Sequence, residues 1–509
     1  MKSTYKYAYI KDNAIVILGT FIAYFKAIIL MPLIIKTMGV TVYGGYVLFI
    51  SLLSIVFGIS TFGVGIKARR FLPSCKTMDE RGKLFYPQLI FVFCTIVFFS
   101  VLLFCLNDHI SSFLFKNKLN YSALIFPAYL LAYFLYAQGL DYLRYTSRTH
   151  YMTLANIVFP YLAIGIIMLV LLATGSISIN TLVISEAISA TLLGLIFFTI
   201  IIRELGTKIS PYSARELIAE IKLGTPLMFT VIIDFILAAS DRYIISIFLS
   251  VSAVGLYNPA YLLGSLVMII PKAMGTAIPQ LMSKAIDGGE QNAAELMLDY
   301  TIKVFLFLAI PFIFGAAVLS KEVLILLANA EVAQTAALVT PVVALGIVFY
   351  GLTSIMSNIL FVQLRTGLMF KVNLLAAALN LSTNIIFLYF FRNIMVAALT
   401  TLLSYFVSFL YLNHKVKAVW KIGYDLKFIV KVTLSSLLMA ISVLGLSFLF
   451  ANVQSALKLG LLIIVSIIIY IVSLVFFKLF TRQEIDFFKE TIGRKPPLGK
   501  LKKGKITPE

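Results

Sequence analysis

VTVYGGYVLFISLLSIVFGISTFGVGIKARRF, residues 40–71, decides how the rest of the chain is read. Residues 43–66 hold no charged side chain, and then Lys67, Arg69 and Arg70 arrive together. An apolar run of that length is what an α-helix needs to cross a hydrocarbon core of ~30 Å. An excess of Lys and Arg marks the cytoplasmic end of such a helix. The segment therefore reads as a membrane span leaving the bilayer on its cytoplasmic side.

The pattern recurs along the chain. Apolar stretches fall near 14–37, 43–66, 85–107, 121–140, 151–173, 177–202, 223–248, 253–281, 296–319, 335–362, 372–391, 394–413, 428–450 and 457–480. The termini and the loops after even-numbered stretches, with the stretch ends next to them, carry about 33 of the 42 Lys and Arg, and the loops after odd-numbered stretches with their adjoining ends about six. Lys26, Arg242 and Lys272 remain inside stretches. This parity places both termini in the cytoplasm and makes the helix count even. The expected fold is an all-α polytopic membrane protein of about fourteen transmembrane helices.

Composition agrees. Hydrophobic residues make up 61% of the 509 and charged residues 13%, about half the charged share of a soluble domain. The net charge of +20 is the cytoplasmic-side excess plus a basic tail suited to anionic lipid. That distribution forms no single basic face, so nucleic acid is not an expected partner. Cys75, Cys94 and Cys105 have neither disulfide nor metal-ligand spacing, and His109, His150 and His414 sit far apart at loop edges. No metal or cofactor is expected. The run after the basic N-terminus lacks a small-residue cleavage site and is expected to stay as the first helix. Residues 490–509, with Pro496 and Pro497, are expected to be disordered against lipid.

A repeat organises the stretches. Val42-Tyr43-Gly44-Gly45-Tyr46 opens the second and Val254-Gly255-Leu256-Tyr257 opens the eighth. Six helices separate them, so the two halves insert with the same orientation, as in parallel-repeat transporters. The expected divisions are 1–215 and 216–415 as two six-helix bundles, 416–480 as two extra helices, and 481–509 as a basic cytoplasmic tail. Pro271 and Pro279 within one stretch predict a helix that bends.

Charges inside the span point to function, because a charge at the bilayer centre is costly and faces a cavity or a partner. Lys26 lies ~18 Å from its helix end, too far for its stem to reach water easily. Three cations suit an anionic ligand, and phosphate is the usual one for Arg and Lys. Lys26, Arg242 and Lys272 are therefore candidate diphosphate ligands. Asp234, Asp241 and Glu186 are candidates for charge balance or for coupling to a cation. The alternative for each is a structural ion pair. Asn373, Asn380 and Asn384 share one helix face, and Asn358 and Gln363 close the tenth stretch. Asn380 and Asn384 are candidates for sugar binding, with hydrogen bonding between helices as the alternative. There is no Walker A sequence, no GxSxG and no clustered acid pair at DxD spacing in a cytoplasmic loop, so no catalytic residue is expected.

Gly44-Gly45-Tyr46, then Thr61-Phe62-Gly63-Val64-Gly65 with Arg69-Arg70, resembles the N-terminal pattern of polysaccharide transporters. SDRYIISIFLSVSAVGLYNPAYLL, residues 240–263, resembles their middle pattern of an Asp-Arg pair, an apolar run and Gly-x-Tyr-x-x-Ala. These are Wzx-type flippases of the multidrug/oligosaccharidyl-lipid/polysaccharide exporter superfamily. The resemblance covers most of the chain in topology and about 60 residues in motif. It implies two six-helix bundles facing each other in a V around a cationic cavity. It also implies translocation of an undecaprenyl-diphosphate-linked oligosaccharide across the bacterial cytoplasmic membrane, for O-antigen, capsule or exopolysaccharide. A polysaccharide polymerase and chain-length proteins are the implied partners, beside membrane lipid. The related lipid II flippases use basic residues in their first and eighth helices, which here hold Lys26 and Lys272. Lysine in place of arginine leaves the phosphate geometry open. A cation-coupled multidrug antiporter of the same superfamily is the alternative, and would favour an acidic, aromatic cavity. A membrane polymerase or ligase would carry a long outer loop, and no outer loop here exceeds about 16 residues.

Overall fold

The computed structural model describes residues 19, 22, 25–207, 213–418, 420, 422–450, 455–477 and 479. The basic tail and most of the first apolar stretch before Phe25 lie outside them. Every regular element among the described residues is helical. In the first half, α1 spans 25–38, α2 Val40–Ser60, α3 Ile66–Phe71, α4 Met78–Cys105, α5 Asn107–Phe113, α6 Ile125–Tyr145, α7 Thr149–Thr174 and α8 Ile179–Leu205. In the second half, α9 spans Ala214–Phe248, α10 Val251–Ser265, α11 Ile269–Asp287, α12 Gln291–Leu327, α13 Ala330–Ala336, α14 Val339–Val362, α15 Thr366–Phe391 and α16 Ile394–Lys417. Helices α17, Leu426–Leu449, and α18, Ser455–Phe476, pack on each other in a second compact unit that begins at Asp425.

Twelve spans among the described residues are long and apolar enough to cross a membrane. This is an all-helical multi-pass membrane protein. Two of the fourteen predicted stretches are not among the twelve. One is the first, largely outside the described residues. The other is α6, whose five tyrosines, Gln138, Asp141 and Arg144 lower its hydropathy. It can be this polar because it is wrapped by protein. Phe85 and Tyr142 pack together between α4 and α6. Gly139 lies against the Phe197 side chain, and Gly194 against Leu135, bringing α6 and α8 close. Small residues at such crossings let membrane helices approach.

The eighth stretch is not one helix. A 3₁₀ turn, Leu266–Met268, separates α10 from α11. Pro271 follows at once, and its missing N–H removes the bond that would continue the first helix into the second. Helices α4 and α9 start deeper in the polar loops than the hydropathy predicts. Capping boxes explain both: Thr77 with Glu80, and Ser213 with Glu216, satisfy free N–H groups at the helix starts.

The repeated glycine motifs meet each other. A Cβ on Gly44 would run into the Val251 carbonyl and the Gly255 backbone, and a Cβ on Gly255 into the Val40 carbonyl. Only glycine permits α2 and α10 to cross this closely. The Tyr43 hydroxyl accepts from Asn258 Nδ2 at 2.8 Å beside the crossing. Helix α2 then runs antiparallel along α9. Tyr243 donates to the Leu48 carbonyl at 3.0 Å, Gly58 faces Val231, and Gly63 lies against Gly224. Gly63, at φ 65°, and Gly65, at φ 108°, turn the chain there in a conformation that favours glycine.

The loop charges make the orientation testable. Reporter fusions near 75 and 288 are expected to read as cytoplasmic, and fusions near 176 and 328 as external. Two adjacent reversals would break the fourteen-helix count.

Candidate functional site

Each intramembrane cation has its own surroundings. Lys26, on α1, donates to Glu186 Oε1 on α8 at 2.8 Å. The Tyr46 hydroxyl, from α2, donates to the same oxygen. The Phe159 ring of α7 lies 5.7 Å from the ammonium. The Glu186 side chain is only 2% exposed, and Lys26 22%. The carboxylate is thus sealed among helices, and the lysine side chain stays partly exposed.

Asp241 and Arg242, neighbours on α9, do not pair through their side chains. Asp241 Oδ1 accepts from the Arg242 backbone N–H at 2.8 Å, and Oδ2 from the Tyr257 hydroxyl at 2.6 Å. The Arg242 guanidinium lies 5.0 Å from the Tyr261 ring centroid. Its Nε is buried and has no hydrogen-bond partner among the described residues. Tyr46 and Tyr257 occupy matching places in the two repeats, and each donates to a buried carboxylate. The carboxylates are not themselves repeat partners: Glu186 lies on α8, the last long helix of the first half, and Asp241 on α9, the first of the second.

Lys272, on α11, lines a cavity of about 550 Å³. Tyr350, Thr353, Ser357 and Asn358 of α14 and Asn373 of α15 line it too. Pro271 and Pro279 form part of the wall. Asp234 is exposed on α9 and does not line the cavity. The structure thus groups Lys272 with Asn358 and Asn373.

Asn380 and Asn384 are not in that cavity. Both are buried on the packed face of α15. Asn380 accepts from Ser240 at 3.2 Å and donates to Thr401 at 3.0 Å; Asn384 accepts from Thr400 at 2.8 Å and donates to Asn380 at 3.3 Å. Their polar groups join α9, α15 and α16, the interhelical arrangement. Among the described residues no group of three or more His, Cys, Asp or Glu is placed to hold a metal ion.

Two features escape a reading by charge and hydropathy. Tyr129, Tyr133 and Tyr136 form a row on α6, with Tyr129 and Tyr133 stacked at 5.6 Å and Tyr136 on Phe159 at 4.6 Å. Spacings of four and three residues were the available signal. The second is Glu220, which hydropathy puts in a loop and which is fully buried on α9. One of its oxygens accepts from the Gly65 N–H at 3.2 Å, and Lys67 Nζ is 3.7 Å from the other. A carboxylate of the second half thus holds the glycine turn of the first.

Residues 10–285 match the family described as "Polysaccharide biosynthesis protein". The chain belongs to that family. The resemblance read from the Gly44 and Asp241-Arg242 motifs is shown, and with it membership of the multidrug/oligosaccharidyl-lipid/polysaccharide exporter superfamily. Residues 226–386 also match the MatE family. A curated relative, the probable low-salt glycan biosynthesis flippase Agl15 of Haloferax volcanii, is 28% identical over 230 residues. That match covers 45% of this chain and 48% of the relative, about half of each. Among solved structures, the lipid II flippase MurJ in an inward closed conformation superposes with a TM-score of 0.72 at 18% identity, covering 94% of this chain and 99% of MurJ. An inward-facing multidrug resistance MATE transporter reaches 0.62 at 13% identity, covering 79% of this chain and 95% of its own. The fold is shared with both.

Proposed function

We propose that this protein moves an undecaprenyl-diphosphate-linked oligosaccharide between the leaflets of the bacterial cytoplasmic membrane, for surface polysaccharide synthesis. The cavity at Lys272 carries the reading. It sets a membrane-embedded ammonium among amides and hydroxyls, the chemistry that suits a phosphate joined to sugar. An oligosaccharide cannot enter hydrocarbon, so its polar head needs such a lined space while the prenyl chain stays in lipid. Lys26 and Arg242 are the further candidate diphosphate ligands, with Asp234, Asp241 and Glu186 balancing charge. The halves 1–215 and 216–415 rock against each other about the glycine contacts, and the bend at Leu266–Met268 absorbs part of the motion. The flippase relative and the family membership support transport rather than catalysis.

Lys272→Ala is the test. A charge-assisted hydrogen bond is worth about 1.5–3 kcal/mol, so binding is expected to fall roughly tenfold to a hundredfold. In a complementation assay for surface polysaccharide, export should drop sharply at normal protein abundance. Lys272→Arg should keep more activity than Lys272→Ala. Full export by Lys272→Ala overturns the site. Unchanged export with lost resistance to cationic drugs makes the protein an antiporter.

A further inference from the structure

A second built site lies on the lipid-facing side of the first half. Between α7 and α8 runs a slot of about 740 Å³. Tyr151, Leu154 and Val158 line it from one face of α7, at spacings of three and four residues. Leu193, Ile196 and Ile200 line it from α8. From Leu193 to Glu204 the wall is roughly 16 Å long at the helical rise per residue. Its polarity changes along that length. One end is hydrocarbon only. The other, at the Lys/Arg-rich side of the membrane, carries Arg148 and Arg203 with Glu204.

The charge at that end is not cancelled. Glu204 is occupied twice: Arg148 Nη1 lies 2.6 Å from one oxygen, and the Tyr142 hydroxyl donates to the other at 2.7 Å. Arg148 keeps 35% of its side chain exposed. Arg203 is exposed and has no ion-pair or hydrogen-bond partner among the described residues. One net positive charge therefore stands at the membrane surface above an apolar slot. Tyr151, also exposed, sits at the same level, where tyrosine favours the interface.

We infer that this slot holds an anionic two-chain phospholipid, its phosphate against Arg203 and Arg148 and one acyl chain between α7 and α8. The lengthwise gradient from cations to bare hydrocarbon matches an amphiphile and not a free ion, which would use the mouth alone. Basic pockets between helices at the cytoplasmic surface recognise such headgroups. The slot is built from α6, α7 and α8 and shares no residue with the Lys272 cavity.

The experiment uses the purified full chain in bilayer discs of mixed phosphatidylglycerol and phosphatidylcholine, with retained lipid counted by native mass spectrometry. The protein is expected to retain phosphatidylglycerol preferentially. Arg203→Gln, an exposed change that leaves the Arg148–Glu204 pair in place, should reduce that preference about tenfold. Ile196→Trp fills the slot and keeps both arginines, and should lower retention of the lipid as well. Undiminished preference in both variants overturns the site. Displacement of the lipid by millimolar inorganic phosphate overturns the acyl-chain part of the inference. Stronger retention of a polyprenyl phosphate than of phosphatidylglycerol assigns the slot to the transported lipid instead. None of these readings depends on transport.

Discussion

Lys26→Ala is expected to cost both protein abundance and export, and adding Glu186→Gln should restore abundance but not export. The reason lies in the burial of Glu186, whose side chain is 2% exposed and pairs with Lys26 at 2.8 Å. Removing only the lysine leaves a sealed carboxylate without its counter-ion, a change that costs about 3–5 kcal/mol. Neutralising Glu186 as well removes that penalty, and Tyr46 still has an amide oxygen to donate to. What the double variant then lacks is the partly exposed lysine, the proposed ligand of an anionic head group. Quantitative immunoblots and a polysaccharide assay separate the two effects. If the double variant exports normally, Lys26 is structural. If the single variant stays abundant, the ion pair contributes less than its burial implies.

Glu220→Ala should open the contact between the halves at the Lys/Arg-rich side. The buried carboxylate accepts from Gly65 and neighbours Lys67, and a charged hydrogen bond of this kind is worth about 1.5–3 kcal/mol. Its loss is expected to shift the closed-to-open ratio there roughly tenfold or more. A cysteine at Val64, a buried position in the glycine turn, reports the change in a background without the three native cysteines. Impermeant maleimide should label it several-fold faster in inside-out vesicles carrying Glu220→Ala. Glu220→Gln, which keeps an acceptor for Gly65, should lie between. Equal labelling in all three proteins removes Glu220 as a latch.

The helical membrane fold was legible because hydropathy and loop charge report the two solvents, hydrocarbon and water, directly. The α6 span shows where that signal weakens. A helix surrounded by other helices does not have to be apolar, and α6 carries Gln138 and Asp141 in consequence. The loop ends misled for another reason: α9 begins at Ala214, in sequence that is polar yet helical, and only the Ser213–Glu216 box announces it. At the site, the sequence singled out charges by their cost but not their partners. Partner choice depends on helix rotation and register, which set Lys26 against Glu186 and left Arg242 on a tyrosine ring. Asn373 and Asn380 differ by seven residues and share a face in projection, yet one lines a cavity and the other is sealed. Two helical turns, about 10 Å along the axis, separate them, and no periodicity shows which turn faces the cavity.

Helix α2 touches the second half near both its ends, at Gly44 and at the Gly63 turn. That makes it a lever with two possible fulcrums. Gly44 and Ser60, just before the turn, are roughly 24 Å apart along the helix axis. A tilt of about 20° about either end swings the other by roughly 8 Å, close to three water diameters. One rigid rod can therefore admit a hydrated sugar head at one surface while its opposite end stays seated as the seal.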